Sequence, residues 1–107
     1  MATEERTLER LQYLEALYRQ GYRSEVVDRS LEKLVALEQE AARREQAELA
    51  ERLRGFETHY QMSSEEFYQR FRAGELGDTA DMVEWSVFYE MWQSVQQRLA
   101  GLDAESS

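Results

Sequence analysis

The chain contains no cysteine and no proline, one histidine, and only five glycines in 107 residues. Without cysteine there can be no disulfides, no thiolate metal ligands and no cysteine nucleophile. Proline removes a backbone donor, and glycine costs about 1 kcal/mol relative to alanine inside a helix, so few positions here oblige a helix to stop. An all-α chain is the first expectation. His59 has no second histidine and no serine–acid arrangement to work with, and no glycine-rich loop is present to cradle a phosphate. We therefore expect neither an enzyme nor a cofactor, and no metal centre. No apolar run is long enough to span a membrane, and the opening stretch MATEERTLER is acidic where a secretion signal is basic and then apolar. A cytoplasmic location without membrane association is expected.

What is present is charge, unevenly placed. Residues 1–54 hold 10 basic and 12 acidic side chains, whereas residues 55–107 hold 3 and 10. Phosphate backbones attract basic surfaces, so direct nucleic-acid binding by the second half is disfavoured and a basic protein is the better partner. The length suits one domain. We divide it into a helical dimerisation region, 1–54, and an acidic, aromatic-rich partner-binding region, 55–107.

Leu8, Leu11, Leu14, Leu17 and Tyr18 recur at helical spacing, predicting an amphipathic helix over about 7–20 that Gly21 closes. Ser24 is a good N-cap for the next helix, and Glu25 complements its dipole. From there Val27, Leu31, Leu34, Val35 and Leu37 form a strong stripe, which thins over EQEAARREQAE before Leu49 and Leu53 resume. That middle part reads as helical but poorly buried, supported by four-apart pairs such as Glu40 with Arg44 and Glu48 with Arg52. Gly55 is the expected stop. A helix of roughly 30 residues is about 45 Å long, too long for a compact domain of this size unless it projects, bends or lies against a second chain. Ser63 and Glu66 form a capping-box pattern for a third helix reaching about Ala73. After the turn GELG, Asp78 or Thr79 caps a last helix whose Trp85, Phe88, Trp92, Val95 and Leu99 recur by threes and fours. Gly101 should end it, leaving LDAESS to fray.

The stretch GYRSEVVDRSLEKL, preceded by Leu11, Leu14 and Leu17, resembles the turn and second helix of ribbon-helix-helix antitoxins. The match lies in Gly21, Ser24, Glu25, Val26, Val27, Leu31 and Leu34 and covers about a quarter of the chain. The family's operator-reading strand has no counterpart, since MATEERT lacks both β-branched alternation and a basic surface. The resemblance implies a hinge kept for pairing chains, with Leu11, Leu14, Leu17, Val27, Leu31 and Leu34 as the dimerisation residues. The second half, through EEFYQRFRAGELGD and VEW, also resembles small uncharacterised helical proteins of cyanobacteria and other prokaryotes that are associated with toxin–antitoxin pairs.

Glu75, Asp78, Asp81 and Glu84 cluster in GELGDTADMVEW but lack the alternating oxygen pattern of a calcium loop, so we read them as helix-capping, with Asp81 and Glu84 available to a basic partner. Trp85, Phe88 and Trp92 share one stripe and are expected in the core, while Tyr68 and Tyr89 fall off their stripes and are expected at an interface. The expectation is an all-α protein: a helical hairpin with one long helix, then a C-terminal helical hairpin, forming an intertwined homodimer. Its function should be non-catalytic and antitoxin-like, the acidic half neutralising a basic, ribonuclease-type toxin. The alternative is a structural or adaptor subunit of a larger complex. An operator-binding repressor presenting Arg6, Arg10, Arg19 and Arg23 is a further reading.

Overall fold

The computed structural model describes residues 3–106, and they form four α-helices and no strand. These are α1 (Thr3–Arg19), α2 (Glu25–Tyr60), α3 (Ser64–Arg72) and α4 (Ala80–Ser106). Residues 3–7, within the stretch where a ribbon would lie, are helical; residues 1 and 2 lie outside the described residues. The chain divides into two compact units, one running through Lys33 and one starting at Leu34. α2 passes without a break through the boundary expected at 54/55.

Glycine ends some of these helices and not others. Gly21 has φ +99° and Gly74 has φ +78°, and each closes its helix with a paired arrangement of hydrogen bonds. The Tyr22 N–H donates to the Leu17 carbonyl and that of Gly21 to Tyr18; the Glu75 N–H donates to Arg70 and that of Gly74 to Phe71. This is the Schellman closure, which satisfies carbonyls a helix end would otherwise leave free. Gly55 and Gly101, expected as stops, lie inside α2 and α4. The penalty of about 1 kcal/mol for an internal glycine is offset by neighbours such as Leu53 and Leu99, each worth about 1.5–3 kcal/mol when buried. α2 ends at Tyr60, five residues after Gly55, and the next residue, Gln61, takes the left-handed conformation (φ +53°) while the Met62 N–H donates to the Glu57 carbonyl. A non-glycine residue here bears a steric cost that glycine escapes.

In the first unit, α1 buries no residue. Its end is tied to the start of α2 by Tyr18, whose hydroxyl donates to Asp28 Oδ1 at 2.7 Å and accepts from the Ser24 N–H at 3.1 Å. Ser24 caps α2 as expected, its Oγ accepting from the Val27 N–H.

In the second unit, α2 and α4 run antiparallel. Gln39 meets Asp103, Gln46 meets Gln96, Arg52 covers Phe88 and Tyr60 meets Asp81, so positions advance along one helix as they retreat along the other. The seam follows a three–four repeat: Gln39, Ala42, Gln46, Leu49, Leu53, Phe56 and Tyr60 from α2, and Met82, Trp85, Tyr89, Trp92, Gln96, Leu99 and Asp103 from α4. The stretch 38–48 is helical and mostly exposed, as expected, yet it contributes Gln39, Ala42 and Gln46 to the seam. Ala42 is fully buried there, with glutamines as its polar neighbours. Gln39 and Arg43 both donate to Asp103, which is why α4 continues past Gly101 instead of fraying.

α3 packs on α4. Ser63 caps it by accepting from the Glu66 N–H, the serine half of the expected capping box, while Glu57 accepts from the Ser64 N–H. Thr79 caps α4 through the Met82 N–H. At the centre Trp85 is fully buried, its ring stacked on Phe67 with centroids 3.8 Å apart and on Phe56 at 5.5 Å, and its Nε1–H donates to the buried Ser64 Oγ at 2.9 Å.

Two predictions follow from these contacts. Gln61→Gly should raise unfolding stability in urea by about 0.5–1 kcal/mol and Gly74→Ala should lower it by about 1 kcal/mol or more; equal effects of the same sign would contradict the left-handed closures. Ser64→Ala strands a buried indole N–H and should cost about 1–3 kcal/mol, part of which Trp85→Phe restores in the double variant.

Candidate functional site

Each unit carries its own uncovered surface. In the first, Leu11 is 49% and Leu31 is 44% exposed, and Leu8, Tyr13, Tyr22 and Val26 are exposed as well. Leu14, Leu17 and Val27 are half-buried. The polar side is locally paired, Arg19 to Glu15 and Arg29 to Glu25. Arg23 lies over the Tyr18 ring and donates to the Tyr18 and Tyr22 carbonyls, so this cation is engaged at the C-terminal end of α1. Leu34, the first residue of the second unit, is 54% exposed, and Leu37 one turn on is similarly open.

In the second unit, an open groove of about 370 Å³ is lined by Arg52, Gly55, Phe56, His59, Asp81, Glu84 and Phe88. Asp81 and Glu84 stand one turn apart on α4. The Tyr60 hydroxyl donates to Asp81, and this bond to an anion, with partial desolvation, raises the phenol's pKa above its usual value. Arg52 stacks over Phe88 at 5.1 Å, in place of the expected four-apart pair with Glu48. On the far side of α4, Tyr68 donates to Glu90 at 2.7 Å, and the same bond raises the Tyr68 pKa. A phenol donor fixes a carboxylate's direction without cancelling its charge, so both anions can still meet a cation.

No family model matches the chain, and no curated protein or solved structure matches it. The site must be read from its own chemistry. Among the described residues no three histidine, aspartate or glutamate side chains gather to hold a metal, and no helix is long and apolar enough to cross a membrane.

The four residues expected at the partner surface do not share one environment. Asp81 and Glu84 lie together in the groove, and Tyr68 is half-buried against the Tyr89 ring, 5.0 Å away. Tyr89 is only 9% exposed and belongs to the core with Trp85, Met82, Phe67 and Leu53. Its placement off the stripe is corrected: the three–four seam passes through position 89, between Trp85 and Trp92. Burial also raises its pKa. The sequence reading missed a second apolar line on α4, formed by Val83, Val87 and Met91, all exposed. The signal was present in MVEWSVFYEMW, which holds more apolar residues than one buried stripe can use.

The phenol–carboxylate bonds have a titration signature. A phenol whose pKa is raised by folding adds stability that is fully present below pH 10 and is lost as pH rises through the raised value. Asp81→Ala should bring the Tyr60 transition in an ultraviolet titration down toward 10; an unchanged transition would show that the bond does not form in solution.

Proposed function

We propose that the chain is a non-catalytic interaction protein that forms a homodimer and binds a basic protein through its acidic C-terminal half. The specific form we favour is an antitoxin-like inhibitor that covers a basic, ribonuclease-type toxin. Pairing would use Leu11, Leu14, Leu17, Val27, Leu31 and Leu34; Asp81, Glu84 and Tyr68 are the residues offered to the partner, and Tyr89 supports Tyr68 from beneath.

The observation that carries this reading is the uncovered apolar face of the first unit. Large aliphatic side chains at helical spacing, about half exposed, cost free energy that a second chain removes at about 25 cal/mol per Å² buried. Residues 1–33 hold six basic and seven acidic side chains, so two copies can approach without strong repulsion. Residues 34–107 hold seven and fifteen, which favours a partner of opposite charge and steers its approach.

Light scattering on a sizing column should give twice the 12.7 kDa chain mass at tens of micromolar, and Leu11→Glu with Leu31→Glu should give the single-chain mass with helical circular dichroism retained. A wild-type monomer at that concentration would refute the dimer. Co-expression tests the second half: the chain should relieve growth arrest by a basic ribonuclease that co-purifies with it, and Asp81→Lys with Glu84→Lys should abolish both effects.

A further inference from the structure

α4 is apolar on two faces. One is the buried seam of Met82, Trp85, Tyr89 and Leu99. The other is the line of Val83, Val87 and Met91, which are 44%, 48% and 42% exposed and follow one another at four-residue steps. Residues four apart lie above one another on a helix, so these three make a continuous ridge about 12 Å long. At about 100° per residue, Glu84 lies roughly 60° to one side of Val87 and Glu90 roughly 60° to the other. The ridge is thus bordered by a carboxylate on each flank. Glu84 also reaches the groove that holds Asp81, and Glu90 is oriented by the Tyr68 hydroxyl. Toward the C-terminus the ridge gives way to Ser94 and then to Arg98, which pairs with Glu45.

We infer that this ridge is the seat of an amphipathic helix from the partner protein, about two turns of which present apolar residues at its centre and lysine or arginine on both edges. The inference rests on the reading of the C-terminal half as a binder of basic protein and supplies the residues and the form of the contact. A straight ridge of residues four apart is what the grooves of another helix accept. Carboxylates on both sides select a helix with cations on both sides, since each flanking pair gains from the lowered dielectric once the apolar centre excludes water. The same border argues against a second copy of this chain. Two such ridges laid together would bring Glu84 and Glu90 of one chain against those of the other, in a unit with fifteen acidic and seven basic side chains. The face that suits self-association is the nearly neutral one in the first unit.

The test uses the full chain and a synthetic 14-residue helical peptide with leucines in one line and lysines on both edges, beside a scrambled peptide of equal composition whose leucines do not align. In methyl-detected NMR titrations the aligned peptide should shift Val83, Val87 and Met91. Its affinity should fall about tenfold for the double variant Glu84→Gln, Glu90→Gln and at least as much for Val87→Asp. The control pair Glu38→Gln, Glu48→Gln, with the same loss of charge on α2, should leave affinity within twofold. Shifts centred elsewhere, equal binding of the scrambled peptide, or equal loss in the control pair would overturn the site. So would a fall in the light-scattering mass of Val87→Asp, which would make the ridge a self-association face. The two readings fail separately. A co-purified basic protein whose binding ignores Val87→Asp rejects the ridge alone, whereas peptide seated on the ridge with no basic protein bound in cells rejects the proposed function alone.

Discussion

The second unit depends on the burial of Trp85. Its ring lies between Phe67 of α3 and Phe56 of α2, and its only polar atom is satisfied by Ser64 at the start of α3. A nine-residue helix such as α3 has too few internal hydrogen bonds to offset its nucleation cost, so it exists because its side chains are held from outside. The stack with Phe67 supplies the apolar part of that hold, and the indole N–H supplies the direction. Without that bond, Ser64 could turn outward and α3 could roll about its axis, since stacking alone tolerates rotation. Placing α3 also places Tyr68, and with it the orientation of Glu90 on α4.

The α2–α4 seam shows a different balance. Near Trp85 it is aromatic; farther along Ala42, Leu49, Val95 and Leu99 form its buried centre, and glutamines bond across it beside them. Aliphatic residues in place of Gln39, Gln46 and Gln96 would bury more surface, but the three–four repeat permits slippage by a full heptad. Gln46 facing Gln96, and Gln39 with Arg43 on Asp103, are paired in this way only in one register. The seam therefore gives up some burial energy for a single alignment, and the alignment sets where Asp81 meets Tyr60.

This explains which features could be read from the sequence. Starts of helices were legible because Ser24, Ser63 and Thr79 act through atoms within three residues of themselves. Stops were less so. Glycine permits the left-handed closure without requiring it, and whether it is used depends on what lies beyond: Gly21 and Gly74 close helices, while Gly55 and Gly101 are carried through by tertiary burial. Gln61 could not have been chosen in advance, since its closure follows from the packing of Met62 against the core. Tyr89 was misplaced because a stripe drawn through Trp85, Phe88 and Trp92 fits one helix taken singly, whereas the wider buried face is set by α2 and α3 together. The grouping of Asp81 and Glu84 was visible from their spacing alone; the groove around them, which needs Arg52, His59 and Phe56 from α2, was not.

Charge then sorts the apolar surfaces that remain. Burial drives association at any exposed aliphatic ridge and does not discriminate among partners, because the gain scales with area. Discrimination comes from what borders the ridge. Leu11 and Leu31 sit among side chains of both signs, Arg19 paired with Glu15 and Arg29 with Glu25, so a second copy would meet little net repulsion there. Val83, Val87 and Met91 sit between Glu84 and Glu90, in a unit with fifteen acidic and seven basic side chains, and such a border disfavours a like-charged surface. On the proposed assignments, two ridges of similar chemistry on one short chain would be directed to different occupants, without any residue having to recognise a partner by shape. On that proposal the acidity of the chain has a use: it would keep the α4 ridge from closing on a second copy and leave it open to a cationic helix.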